Sequence, residues 1–219
     1  MKITPKYRLL GWVMYIYATA VWRTAKFRAV GLEQLMAAKD SGRPLIIALW
    51  HGLTGMVFGF VATRLNQKLL VIVPDDHRGA TLSVAIHREG GETFPISMDV
   101  ASMVAARRLL ALIREMKRGG TLFLNPDGPD GPAHSPKEGV VHIARKSSAL
   151  LLPAAAFTTT CFRVPRWDRY VVPFPFSRIT VVFCKPLDLS SEPDSARARS
   201  LVTDALNNAE MAAERLYWE

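Results

Sequence analysis

An α/β domain is the fold class this sequence predicts: a single layered domain with a mixed, mostly parallel central sheet flanked by helices. Three observations carry the prediction. Apolar runs of strand length recur along the chain, at residues 45–49, 69–73, 121–125 and 150–157. Longer segments with helical periodicity lie between them, and strands alternating with helices specify a layered α/β arrangement. Two of the runs end abruptly in peptides that carry chemistry. One enters Trp50-His51-Gly52, and the other enters Asn125-Pro126-Asp127-Gly128-Pro129-Asp130-Gly131-Pro132. Pro fixes φ and Gly admits positive φ, so the second is a stiff, specifically shaped loop. Open α/β sheets place ligands at such strand ends.

The elements follow in order. Residues 9–22 are apolar and aromatic, preceded by Lys2, Lys6 and Arg8 and followed by Arg23, Lys26 and Arg28. The run is short of the roughly 20 residues that span a bilayer. Its basic flanks and Trp12, Tyr15, Tyr17 and Trp22 suit a helix lying in a membrane interface, with an ordinary amphipathic core helix as the alternative. The cations that follow directly argue against a cleaved leader. Residues 1–30 are therefore set apart as an amphipathic, membrane-associated helix, and 31–219 as the α/β domain. A link near Gly31 leads to a short helix, 32–39, and a turn leads to the strand at 45–49. Residues 52–63 are expected to be helical, and the strand 69–73 stops at Pro74-Asp75-Asp76. The helix 80–88 closes on Gly90-Gly91, and a short strand covers 92–95.

Asp99 reads as the N-cap of the clearest helix, 100–118, where Met103, Ala106, Leu110 and Ile113 share a face. After the Gly-Pro loop, Ser135-Pro136-Lys137-Glu138 has the order of a helix start, with Ser at the cap, and this helix runs to residue 147. Following the strand 150–157, two extended segments at 169–172 and 178–184 read as a hairpin-like finish. The tail of the sheet is thus expected to be antiparallel or mixed. Pro193 opens a last helix that ends near Arg215.

Composition bounds the function. The chain has 219 residues, 49% hydrophobic and 21% charged, which suits one domain with a sizeable core and excludes overall disorder. A net charge of +9 and a pI near 9.9 favour an anionic partner: an anionic membrane surface, a phosphorylated substrate or nucleic acid. Nucleic acid ranks last, because the cations are dispersed and no recognition module is present. Cys161 and Cys184 form no metal-type pair and read as buried thiols. The histidines lack paired metal-ligand spacing. Neither a Gly-x-Ser-x-Gly nucleophile elbow nor a phosphate loop or dinucleotide fingerprint occurs.

His51 is the first candidate for chemistry: a neutral imidazole at a strand end takes a proton from a hydroxyl at physiological pH, or else holds a turn. Asp127, in the stiff loop, either orients an imidazole or substrate hydroxyl, or makes a structural turn before Gly128. Asp75 and Asp76 are further candidates, more simply a solvated turn. Arg78, Arg88, Lys137 and Arg145 are phosphate-binding candidates, each more simply a surface charge.

The order Leu49-Trp50-His51, Asp127-Gly128-Pro129-Asp130-Gly131-Pro132, Lys137-Glu138-Gly139 and Trp167-Asp168-Arg169-Tyr170, the last continuing to Pro173-Phe174-Pro175-Phe176-Ser177-Arg178, resembles a bacterial family of uncharacterised proteins. That family is grouped with the lysophospholipid acyltransferase-like (glycerolipid acyltransferase) superfamily. The resemblance spans residues 40–190. It implies an α/β acyltransferase fold, a membrane-associated N-terminus and acyl transfer from a thioester to a lipid hydroxyl. His51 matches the superfamily's catalytic histidine, and Pro126-Asp127-Gly128 matches its Pro-Glu-Gly block. The implied substrate-contacting residues are Trp50, Ser97, Gly128, Asp130, Gly131 and Lys137.

Two departures are visible. The aspartate expected five residues past the histidine is Met56, which cannot orient an imidazole, so Asp127 is the expected substitute. Phe94-Pro95-Ile96-Ser97-Met98 replaces an Arg-Gly-Ser block, and Asp130 stands where the Gly-Pro loop should carry an arginine. Both changes remove positive charge. The resemblance implies acyl-CoA or acyl carrier protein as co-substrate, no resident cofactor or metal, a lipid acceptor such as a lysophospholipid, and residence on the cytoplasmic face of the bacterial inner membrane as a peripheral or monotopic protein. The alternatives are a non-catalytic lipid-binding protein on the same fold, and a thioesterase or lipid hydrolase.

Overall fold

The computed structural model describes residues 3–65, 68–96 and 103–219. In chain order its elements are α1 (Pro5–Thr24), β1 (Lys26–Val30), α2 (Leu32–Asp40), β2 (Leu45–Ala48), a 3-10 turn (His51–Leu53), α3 (Thr54–Arg64), β3 (Leu69–Pro74), α4 (His77–Arg88) and β4 (Glu92–Ile96). There follow α5 (Met103–Lys117), β5 (Thr121–Leu124), α6 (Glu138–Ser147), β6 (Leu150–Phe157), β7 (Cys161–Arg163), β8 (Val171–Pro173), β9 (Arg178–Phe183), β10 (Leu187–Asp188) and α7 (Ser195–Trp218). The main sheet runs β1-β9-β6-β2-β5-β3-β4, with β10 beside β6. Strands β6, β2, β5, β3 and β4 are mutually parallel, as their helical connections require. Strand β9 is antiparallel to β6 and parallel to β1. The sheet is mixed and mostly parallel, as the sequence predicts.

The core is divided by the sheet. Along β2 and just past it, Leu45, Ile47 and Leu49 enter one cluster with α3 residues such as Met56 and Val57. Ile46, Ala48 and Trp50 enter the other, with α5, α6 and part of α7. Period-two alternation with both faces apolar is the pattern of a central parallel strand. The chain therefore leaves β2 with its next side chain, His51, at the rim of a fully packed layer.

Helix α1 lies on α4 and α3. Gly11 permits the α4 crossing, since a Cβ there would come 2.6 Å from Val84 Cβ. Trp22 Nε1 donates to the Gly55 carbonyl at 2.9 Å, and the Arg88 guanidinium sits 3.3 Å from the Trp12 ring centroid. The opposite side keeps Leu9, Val13 and Ile16 more than half exposed. No described helix is long and apolar enough to cross a membrane.

Four local expectations are corrected. Residues 26–30 are an edge strand; the alternation of Lys26 and Arg28 with Phe27 and Ala29 was hidden by reading the cations as a helix flank. The extended segments near 169–172 and 178–184 do not pair with each other. Val171–Pro173 pairs with Cys161–Arg163, while β9 enters the main sheet between β6 and β1. Residues 179–183 are buried throughout, which an interior position satisfies and a terminal hairpin does not. Helix α6 starts at Glu138 with Lys137 as N-cap, not at Ser135, because the Lys137 N–H is committed to the Pro126 carbonyl at 2.9 Å. Arg145, read as solvated, donates to the Leu189 and Glu192 carbonyls and to Ser195 Oγ. Cys161 and Cys184 are half-buried free thiols. The Asp99 N-cap expectation lies outside the described residues.

Candidate active site

His51 opens the 3-10 turn at the end of β2, and two loops converge on it. The Gly-Pro loop after β5 reaches its backbone: Asp127 Oδ1 accepts from the His51 N–H at 3.0 Å, and Oδ2 accepts from the His134 N–H at 3.2 Å. The hairpin loop between β7 and β8 reaches its ring: His51 Nδ1 lies 2.7 Å from Asp168 Oδ2. The carboxylate against the imidazole is thus Asp168, not Asp127. The Asp168 side chain is 1% exposed and the His51 side chain 24%. Arg166 grips the same carboxylate in a fork, Nε to Oδ1 and Nη2 to Oδ2, each at 2.6 Å. Arg166 Nη2 also lies 3.3 Å from His51 Nδ1.

Small residues make this convergence possible. A Cβ on Gly52 would stand 2.3 Å from the Asp168 carbonyl oxygen, so only glycine lets the hairpin loop close on the turn. A Cβ on Gly128 would meet His51 Cδ2 at 2.8 Å. Gly131, at φ +72, faces the Trp167 ring, where a Cβ would come within 2.7 Å. Trp167 and Tyr170 stand around the imidazole, their ring centroids 5.3 and 6.1 Å from it. Burial pushes the Tyr170 phenol up to about 12, so it is neutral at physiological pH.

The two carboxylates titrate in opposite directions. Burial pushes Asp127 above the usual carboxylate range, and backbone N–H groups from His134 and His51 offset this only in part. Burial also pushes Asp168 upward, but hydrogen bonds from Arg166 and His51 outweigh it and hold Asp168 below its ordinary value. An ionised Asp168 selects the tautomer with the proton on Nδ1, which leaves Nε2 as the basic nitrogen. The arrangement can accept a proton from a hydroxyl or water and stabilise the resulting imidazolium.

The other sequence candidates fall as follows. Trp50 is 2% exposed; its Nε1 donates to Asn207 Oδ1 at 3.0 Å and its ring stacks on His134 at 4.9 Å, so it is a wall behind the site and not a substrate-facing surface. Asp130 is exposed and pairs with Arg78 Nη1 at 2.7 Å. Arg78, on α4, is held by Asp76 as well. Asp76 N-caps α4 through the Arg78 and Gly79 N–H groups, and Asp75 pairs with Arg108 at 2.5 Å, so neither reaches the imidazole. Met56 is buried at 1% exposure. Lys137 anchors the far end of the Gly-Pro loop through its backbone. Ser97 lies outside the described residues.

A cavity of about 160 Å³ adjoins the turn, lined by Leu53, Met56, Phe157, Arg163, Val171 and Glu210 among others. A larger one, about 470 Å³, lies between α6 and the start of α7 and shares no residue with the His51 cluster. Asp168 was missed by sequence reasoning as a functional residue although its block was noticed. Two signals pointed to it: Gly52 beside the histidine marks a close approach, and Asp168 is the lone acid among five cations in residues 158–186.

The layered sheet that carries this site is similar in fold to a solved acyltransferase. The 1-acyl-sn-glycerophosphate (LPA) acyltransferase PlsC from Thermotoga maritima superposes with a TM-score of 0.58, covering 98% of this chain and 79% of that one at 19% identity. In sequence, an uncharacterised protein of Rickettsia prowazekii is 25% identical over 181 residues, 82% of this chain and 81% of that protein. No protein family model matches the chain.

Proposed function

We propose that the chain is an acyltransferase that moves an acyl group from a thioester donor to a lipid hydroxyl, with His51 as general base and Asp168 as the residue that orients it. The carrying observation is the 2.7 Å contact between His51 Nδ1 and the buried Asp168 carboxylate. It supplies from the hairpin what Met56 cannot supply from the helix. His51 Nε2 takes the acceptor's hydroxyl proton as that oxygen attacks the thioester carbonyl carbon. The tetrahedral intermediate then collapses, the carbon–sulfur bond breaks, and the imidazolium returns its proton to the departing thiolate. Ester and thiol are the products.

The donor in this reading is acyl-CoA or acyl carrier protein, and the acceptor is a lysophospholipid or similar lipid. The Thermotoga neighbour, a 1-acyl-sn-glycerophosphate acyltransferase, supports that substrate class. The exposed apolar side of α1 supports a peripheral or monotopic membrane position; the cytoplasmic face of the bacterial inner membrane is part of the same proposal. A thioesterase would use the same base on water. The test is thioester consumption by the purified protein with and without lysophospholipid, with products followed by mass spectrometry. Acceptor-dependent ester formation that falls about 10²- to 10⁴-fold in His51→Ala is expected. Unchanged transfer by that variant rejects the reading, and acceptor-independent release of free fatty acid favours the thioesterase.

A further inference from the structure

We propose that the turn after β8 is a second membrane contact: Phe174 and Phe176 form an aromatic wedge that enters an anionic bilayer beside α1 and sets the His51–Asp168 pair at the lipid surface. The inference rests on the reading of this chain as a lipid-acting enzyme. Phe174 is 46% exposed and Phe176 is 76% exposed. Phe176 sits at φ 64, a region that few residues other than Gly and Asn adopt. It is held there by its N–H, which donates to Thr24 Oγ1 at the end of α1 at 3.1 Å. Tyr17 on α1 donates its hydroxyl to the Pro173 carbonyl at 2.9 Å. Pro173 and Pro175 stiffen the turn. The chain thus fixes two large apolar rings in water along the helix whose own outward side is Leu9, Val13, Ile16 and Tyr17.

Charge names the occupant. Residues 3–31 carry five cations and no acid, and residues 158–186 carry five cations and one acid, the buried Asp168. The remainder of the chain is balanced, eighteen cations against eighteen acids. The entire net charge of +9 therefore lies in the two segments that expose the aromatic and aliphatic side chains. Apolar insertion ringed by cations is the signature of binding to anionic lipid surfaces. Asp168 stands three residues before the three-residue strand β8 and Phe174 directly after it, so at most roughly 20 Å of chain separates the wedge from the dyad, and docking the wedge holds the dyad near the interface.

Flotation with vesicles tests this, using phosphatidylcholine alone and phosphatidylcholine mixed with phosphatidylglycerol. The wild-type chain is expected to float with the mixed vesicles and much less with phosphatidylcholine. Phe174→Ser with Phe176→Asn, the second chosen because Asn tolerates positive φ, is expected to weaken partition about tenfold or more at an unchanged unfolding temperature. Phe176→Gly alone, which relaxes the backbone, should show the same direction. His51→Ala should float normally. Wild-type flotation by the double variant or by Phe176→Gly overturns the wedge, and so does failure of the wild type to bind mixed vesicles. In either case acyl transfer to a short-chain, water-soluble acceptor still decides the enzymatic reading independently.

Discussion

The Gly-Pro loop and the β7–β8 hairpin loop each bring an almost inaccessible carboxylate to His51, and they use it differently. Asp127, from the stiff loop, is spent on two backbone N–H groups and fixes where the histidine's main chain lies. Asp168, from the hairpin, is spent on a guanidinium and an imidazole and fixes how the ring is turned. Burial alone disfavours both anions. Only Asp168 has a guanidinium and an imidazole close enough to reverse that penalty, so the two shift in opposite directions. The lesson is that loop stiffness marks where shape is needed, whereas charge-assisted contacts mark where chemistry is supported.

The sharpest way to break the comparison is Asp168→Asn. It keeps the volume but removes the charge that selects the tautomer, and kcat is expected to fall about 10²- to 10⁴-fold. Steady-state kinetics checks this, with the unfolding temperature measured alongside. Asp127→Ala should do the converse. It leaves two backbone N–H groups without their acceptor, each costing about 1–3 kcal/mol if still buried, so urea unfolding should show the larger stability loss here and kinetics the smaller rate loss.

A third test is the pH dependence of stability. Asp168 has a depressed folded pKa, so its contribution is present above the unfolded value near 3.9 and is lost as pH falls through the lower folded value. Asp127 has a raised folded pKa, so its contribution is present below the unfolded value and is lost as pH rises through the folded one. Unfolding free energy measured from acid to neutral pH should therefore fall less steeply in acid for Asp168→Asn than for the wild type. The smallest effect belongs to Asp130→Asn. Its pair with Arg78 is exposed, and stability is expected to change by less than about 1 kcal/mol.

Much of the fold was legible because buried strands announce themselves. Residues 45–49, 69–73 and 150–157 combine the right length with apolar character on both faces, and the structure places β2, β3 and β6 there. The three-residue strand β7 has too few positions to show a period. Strand β1 alternates properly, but its polar positions are cations that also suit a helix end. The site was half legible. His51 and the Gly-Pro loop stand at strand ends, where topology concentrates ligands. The partner of the imidazole comes from 117 residues away in sequence, and no local spacing encodes a contact between separate loops. Trp167-Asp168-Arg169-Tyr170 was conspicuous as a motif, but its geometry depended on a hairpin whose first strand was not recognised. Asp130 read as lost positive charge, and its pair with Arg78 from α4 is another contact between distant segments that no local spacing encodes.

The most direct test of the His51–Asp168 pair is a double-mutant cycle on acyl transfer, comparing wild type, His51→Ala, Asp168→Asn and the double variant with a thioester donor and lysophospholipid. If Asp168 acts through His51, the double variant is no slower than His51→Ala alone. Losses that multiply, or an Asp168→Asn enzyme working at the wild-type rate, would contradict the account.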